Sequence, residues 1–444
     1  DASNPQVAAV AIRDGIVTAT GTDADVRAAA GAAAQVVDLG GRTVIPGLND
    51  SHLHIIRSGR FHAAELRWDG LSSLARGSEM IREQADRTPA GEWVRVIGGW
   101  FPFQFDERRT PTPAELTEAA PDTPVFVLYL YSLGFLNRAA VAARGLTSET
   151  AAPPGTRYEF TEDGGAILHA EANPDLLYGS IGALPPLSEA DLELSTRHYC
   201  RELNRLGLTS AVDAGGGGHR FPDDYGGTAS LAEAGDLPIR ISAYRFPQDK
   251  GEELAEFQRW TAAFQQRANV ASGLNDGYKV EGGGEFLAWS AGDYKNFLAG
   301  RPDVTGCPRW RSHLVGVTRH LMSNGWPLRI HATYDRPVND ILDVFEEAHA
   351  EERVAGRAGL DGIRWASDHG ETFTRTTLER LRALGSGMSM QARMAYAGEY
   401  FLDRHGPEAT RDAPPLRDVI ELGIPLGLGT DGTQVASYNP WPAL

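Results

Sequence analysis

The sequence predicts an α/β fold, a parallel (β/α)8 barrel preceded by a small β unit and interrupted after its first strand by an inserted α+β subdomain. Three observations lead there. Beyond Ser188 a rhythm of helix then strand repeats seven times, and an earlier strand that ends in His52-Leu53-His54 makes eight. A chain of 444 residues with 42% hydrophobic and 9% aromatic content can fill one large core and an appendage. Eight strands alternating with helices read as a barrel rather than an open sheet.

Residues 6–12 and 16–20 read as two short strands about the turn Arg13-Asp14-Gly15. Residues 23–31 read as a short helix, and 35–39 and 43–45 as further strand pieces around Gly40-Gly41. Pro46-Gly47 punctuates this unit, so a boundary is expected between 1–46 and a barrel over 47–444. The stretch 58–187 is less regular: a helix at 72–87, strands at 93–100 and 124–131, a Pro-rich turn at 110–113 and a hairpin at Asp163-Gly164-Gly165. It reads as the inserted subdomain, covering a site. Helix 188–206 then leads to strand 208–213, 226–235 to 238–246, 251–267 to 277–281, and 312–324 to 327–332. Helix 337–353 leads to strand 362–366, 372–384 to 386–391, and 415–422 to 424–429. No eighth helix follows Thr430-Asp431, so the sequence is expected to lack a C-terminal part of the natural chain.

A formal net charge of −17 argues against nucleic acid and against anionic membrane surfaces, both of which select basic patches. No apolar run approaches the roughly 18 to 20 residues that span a bilayer, and no basic-then-apolar leader opens the chain. Cys200 and Cys307 are too isolated for a disulfide framework. The expectation is a cytoplasmic protein acting on a small molecule, with a homodimer as the default assembly.

Side chains alternate along a strand, so His52 and His54 project to one face with Cα atoms roughly 6.5 Å apart, close enough for both rings to reach one cation. Alone, the pair reads equally as two half-exposed strand histidines. Its company alters the balance: His331 closes strand 327–332, His369 follows strand 362–366, Asp431 follows strand 424–429, and Lys279 lies in strand 277–281. Barrel active sites are built at the C-terminal ends of strands. Imidazoles with a carboxylate and no nearby thiolate favour zinc or a similar divalent ion, manganese or cobalt included.

The segments Val44-Ile45-Pro46-Gly47-Leu48-Asn49-Asp50-Ser51-His52-Leu53-His54, Arg329-Ile330-His331-Ala332, Asp368-His369 and Gly429-Thr430-Asp431 resemble the amidohydrolase superfamily, specifically its YtcJ-like branch, amidohydrolase family 3. Glu92 to Trp100, and Ala120 to Leu128 leading to Leu136-Asn137-Arg138, resemble the same branch, and the likeness runs over essentially the whole chain. The resemblance implies a metal-dependent hydrolase barrel with a β-sandwich built from both chain ends. It implies His52 and His54 as ligands of the more buried metal, His331 and His369 as ligands of a second, and Asp431 as the acid at strand eight. Lys279 falls where relatives carry a lysine that is carboxylated to bridge two metals; an ordinary lysine paired with Glu281 or Glu285 fits equally. The implied activity is cleavage of a C–N bond (amide, N-acyl, formamide, imide or carbamate-like), with Asp431 and His331 catalytic. Metal-assisted ester hydrolysis or deamination, and a catalytically silent metal-binding or regulatory protein, are the alternatives.

Around this centre, Trp100 beside Phe101, Phe103 and Phe105 reads either as a substrate wall or as subdomain core. Tyr334, Gln391 and Arg393 follow strand ends and are candidates for substrate contact; Arg393 pairs alternatively with Glu399 or Asp403. The run Gly215 to Gly218 lacks phosphate-loop spacing and reads as a flexible rim.

Overall fold

A computed structural model describes residues 5–152, 155–170, 187–268, 277–291, 293 and 307–444. The chain divides into two compact units between Pro46 and Gly47. In the first, β1 (Ala9–Arg13) and β2 (Ile16–Gly21) form an antiparallel hairpin turning at Asp14-Gly15, both with positive φ. The helix Asp23–Ala30 follows, and Thr22 caps it by accepting the Asp25 N–H. The expected strand pieces 35–39 and 43–45 are not strands. Apolar alternation alone does not hold an extended segment; a laddered neighbour does, and among the described residues none pairs with them.

The second unit opens with β3 (Leu48–Leu53). A six-stranded mixed sheet follows: β4 (Glu65–Leu66), β5 (Val94–Ile97), β6 (Val125–Tyr129), β7 (Leu133–Leu136), β8 (Thr156–Phe160) and β9 (Ala166–Ala170), ordered β4-β5-β6-β7-β9-β8. This is the inserted subdomain, with a core of Trp68, Ile81, Val96, Trp100, Leu116 and Val127. The end of the expected insertion, 171–186, lies outside the described residues.

The chain then returns through β10 (Leu208–Asp213), β11 (Arg240–Arg245), β12 (Tyr278–Gly283), β13 (Leu328–Ala332), β14 (Trp365–His369), β15 (Gly387–Gln391) and β16 (Leu426–Gly429). With β3 they form one parallel sheet in chain order, β3-β10-β11-β12-β13-β14-β15-β16. The sheet curls until its ends meet. The Asp431 N–H donates to the His52 carbonyl at 2.9 Å, and Thr430 Oγ1 donates to Asp50 Oδ2 at 2.7 Å. A Cβ on Gly429 would come within 2.6 Å of the His52 nitrogen, so glycine lets the last strand close on the first. Helical side chains such as Leu314, Val317, Ile341 and Phe345 cover the outer faces of Leu328, Ile330 and Met388.

Two departures from the sequence expectation bear on the site. Strand β12 runs to Gly283, two residues past the expected end, and β14 runs to His369, three past it. A helical segment, Arg393–Thr410, starts two residues after β15 where none was expected; Gly406, at φ 79°, is non-helical and splits it into two helices, the second opening at Pro407.

Candidate metal centre

Four strand ends and one loop bring the centre together. His52 lies in β3 and His54 just past it, at the start of the helix Ile55–Phe61. His331 lies in β13 and His369 ends β14, while Asp431 is the second residue past β16. His369 and Asp431 have φ of 75° and 57°, a left-handed conformation uncommon for side-chain-bearing residues and often found where a site dictates side-chain direction. Glu285, two residues past β12, has its backbone clamped: its N–H donates to the Ala214 carbonyl at 2.9 Å, and its own carbonyl accepts from the His331 N–H at 3.1 Å. Gly284 permits this approach, because a Cβ there would lie 2.6 Å from the Ala214 oxygen.

The side chains converge. His54 Nε2 is 3.1 Å from Asp431 Oδ1 and 3.6 Å from Glu285 Oε1. His52 Nε2 is 3.6 Å from Asp431 Oδ1 and 3.7 Å from Glu285 Oε2. Glu285 Oε2 also lies 2.8 Å from His331 Nδ1 and 3.3 Å from His369 Nε2. Three overlapping triads result, each with its ligand atoms within 4.8 Å of one another: His52, His54 and Glu285; Glu285, His331 and His369; and His52, His369 and Asp431. His331, 12% exposed, is the one ring of the four that is not almost wholly enclosed.

A divalent cation fits this set. Four imidazoles and two carboxylates suit a borderline or hard ion, and His52 Nε2 is buried with no hydrogen bond, aimed at the two carboxylates. Burial opposes ionisation of Glu285, yet His52 and His331 beside it hold its carboxyl well below the usual range. Burial opposes ionisation of Asp431 likewise, and the adjacent His52 ring and a hydrogen bond from His54 hold it well below. Burial, with His331 and Arg393 nearby, lowers His369 to about 3, so that ring is neutral, whereas Asp368 and Glu285 raise His52, and Glu285 raises His331, against the pull of burial; a bound ion would have to displace those protons.

Outer partners fix the rings. Asp368 Oδ1 lies 3.1 Å from His52 Nδ1 and is itself held by Arg329, whose Nε donates to Asp368 Oδ2 at 2.9 Å. The Gly215 carbonyl lies 2.6 Å from His54 Nδ1. Asp293, which accepts the N–H groups of Thr333 and Tyr334, has Oδ1 3.5 Å from His331 Nε2. The glycine run is thus no loose rim. It packs on the centre so closely that a Cβ on Gly216, at φ 92°, would lie 2.9 Å from Glu285 Oε1 and 3.1 Å from His54 Cε1.

Of the residues expected at the site, His52, His54, His331, His369 and Asp431 are brought together. Lys279 is not. It is the second residue of β12, four residues and roughly 13 Å from that strand's C-terminal end, and its ammonium is ion-paired with Glu281. Glu285 stands in the cluster instead. The missed signal was the glycine run Gly282-Gly283-Gly284, which marks the strand's exit and close backbone approach just before an acid. Trp100 is also corrected: it is fully buried, donates Nε1–H to the Leu128 carbonyl at 3.0 Å and packs on Trp68 and Tyr129, as subdomain core rather than substrate wall. Tyr334 is fully buried, its ring edge-on to His405 with centroids 6.3 Å apart. Gln391 ends β15 and turns its Nε2 back to the Ser389 carbonyl at 2.8 Å. Arg393 reaches the centre: its Nη1 lies 3.2 Å from Glu371 Oε1 and 3.1 Å from His369 Nδ1.

A family model described as amidohydrolase family matches residues 35–444. An N-substituted formamide deformylase of Arthrobacter pascens is 34% identical over 222 residues, covering 48% of this chain and 40% of its own length. The putative amidohydrolase YtcJ of Bacillus subtilis is 23% identical, covering 95% of this chain and 77% of its own. The structure of an uncharacterized metal-dependent hydrolase from Pyrococcus horikoshii superposes with a TM-score of 0.64 at 20% identity, covering 98% of this chain and 80% of that one, a likeness of fold.

Proposed function

Because the chain belongs to the amidohydrolase family, we propose that it hydrolyses a C–N bond of an amide, N-acyl, formamide, imide or carbamate-like substrate at a centre holding divalent metal, zinc first among the candidates. The observation that carries this reading is the sharing of Glu285 by two ligand triads at the C-terminal mouth of the barrel, with Asp431 beside both N-terminal histidines. What such an ion supplies is Lewis acidity, which makes water nucleophilic near neutral pH and polarises a carbonyl. His52, His54 and Glu285 would hold one ion, and Glu285, His331 and His369 a second, with the Glu285 carboxylate common to both sets in place of the carboxylated lysine that was expected. Asp431 accepts a proton from the attacking water and returns it to the leaving nitrogen. His331, at the exposed edge of the cluster, faces the incoming carbonyl. Gln391, whose Oε1 is buried without a hydrogen bond at the C-terminal end of β15, is a polar group available to orient substrate. The part-length likeness to a formamide deformylase places N-substituted formamides first in the substrate panel.

The test is chelator-sensitive amine release from a panel of formamides and acyl amides. Asp431→Asn is expected to lower turnover about 10²- to 10⁴-fold with circular dichroism unchanged; rates near wild type would remove Asp431 from the proton-transfer role.

A further inference from the structure

Each ring of the centre has one nitrogen turned away from the cluster, and the group facing that nitrogen selects the tautomer. For three rings the facing group accepts: Asp368 Oδ1 at 3.1 Å from His52 Nδ1, the Gly215 carbonyl at 2.6 Å from His54 Nδ1, and Asp293 Oδ1 at 3.5 Å from His331 Nε2. An acceptor on that side favours an outward N–H and an inward lone pair, the form a ligand needs, against the inward carboxylates, Asp431 Oδ1 at 3.1 Å from His54 Nε2 and Glu285 Oε2 at 2.8 Å from His331 Nδ1. His369 differs. Its Nδ1 lies 3.1 Å from Arg393 Nη1, part of a guanidinium that only donates, and 4.0 Å from Glu371 Oε1. A donor on Nδ1 favours the opposite tautomer, in which Nε2 carries the proton toward Glu285 Oε2, 3.3 Å away. Glu371 favours the ligand form. The two contenders are locked together: Arg393 Nη1 is 3.2 Å from Glu371 Oε1 and 3.4 Å from Thr333 Oγ1, with the two side chains 9% and 1% exposed. The positive charge of Arg393 also repels a cation beside that ring, in the same direction as its hydrogen bond.

We propose that the Arg393–Glu371 pair makes the two metal positions unequal. Glu371 positions His369 as a ligand and Arg393 opposes it, so the ion held by Glu285, His331 and His369 binds more weakly than the ion held by His52, His54 and Glu285. The inference rests on the metal-centre reading above and deepens it, assigning the Arg393–Glu371 pair to control of occupancy rather than to substrate.

The test is titration of chelator-stripped protein with Co²⁺ at pH 7.5, followed by calorimetry and by the visible Co²⁺ bands, neither of which depends on turnover. The wild type is expected to show two dissociation constants at least tenfold apart. Arg393→Met is expected to tighten the weaker about tenfold and Glu371→Gln to weaken it by a similar factor, with the tighter constant unchanged. His369→Ala is expected to abolish the weaker class alone. Imidazole ¹⁵N shifts of the stripped wild type give a measurement that survives misfolding of any variant: His369 is expected with its proton on Nε2 and His54 with its proton on Nδ1. Two ions of equal affinity, a weaker constant indifferent to both substitutions, or an Nδ1–H His369 would overturn the inference while leaving the hydrolase reading intact. A chain that binds no Co²⁺ removes both.

Discussion

At the scale of single residues, Lys279 and Glu285 divide a role that strand-end arithmetic could not assign. Placing the strand end at 281 leaves Lys279 two residues from the mouth; the observed end at Gly283 leaves it four. Its ammonium pairs with Glu281, which also pairs with the exposed Arg364 just before β14, so this group belongs to the N-terminal rim of the barrel. Lys279→Ala is therefore expected to leave metal content unchanged, whereas Glu285→Gln, which removes a charge shared by two triads, is expected to lower it by at least one equivalent. Metal analysis of the two purified variants decides, and loss of metal in the lysine variant would restore the carbamate. The four histidines and Asp431 were legible because each is a ligand-type side chain at a strand's end. Glu285 was not, because an acid beyond a glycine run has no periodicity of its own.

At the scale of elements, the inserted sheet depends on two buried polar groups. Asn137, fully buried at the start of the helix Arg138–Ala143, donates from Nδ2 to the Ala120 and Thr123 carbonyls and accepts at Oδ1 from the Val125 and Ala140 N–H groups, all at 2.7–2.9 Å. The sequence marked this residue only through a family motif; the structure gives its physical use as a tie between β6, the loop before it and the helix. Asn137→Ala leaves four backbone groups without their partner and is expected to cost about 3 kcal/mol or more in urea unfolding; a loss under 1 kcal/mol would show that water replaces the amide. Glu65 in β4 is the second group. Burial raises its carboxyl to about 7 against the pull of Arg67 and Arg95. The folded chain thus keeps a proton that the unfolded chain releases near the ordinary value of 4.5. Between these values the native state binds more protons, so stability falls as pH rises, by about 3 kcal/mol in all. Unfolding free energies at pH 5 and pH 8, a window that holds about 2.5 kcal/mol of this loss, should differ less by that amount in Glu65→Gln, and an unchanged difference would assign the slope to other groups.

At the scale of the whole molecule, the candidate metal centre draws on β3, β13, β14 and the exits of β12 and β16, so an ion bound there would be thermodynamically linked to barrel closure. An ion at 100 times its dissociation constant that binds only the native state adds about 2.7 kcal/mol. Chelation is expected to lower the thermal midpoint and readdition of Zn²⁺ to restore it; a midpoint indifferent to both would detach the centre from the fold.

The chain's own pattern determined the alternation of seven helices with strands, the eight-strand count, the inserted subdomain and five of the six clustered side chains. These rest on local periods, 2 for strands and 3.6 for helices, and on the residue at each strand end. Tertiary structure alone decided that Glu285 and not Lys279 stands in the cluster, that Gly215 and Gly216 pack on His54, that the helix Arg393–Thr410 delivers Arg393 to His369, and that Trp100 is core. Each depends on which groups from distant strands come face to face. That is fixed by interstrand register and by the turn at each strand's exit, quantities to which a local hydrophobic period is blind.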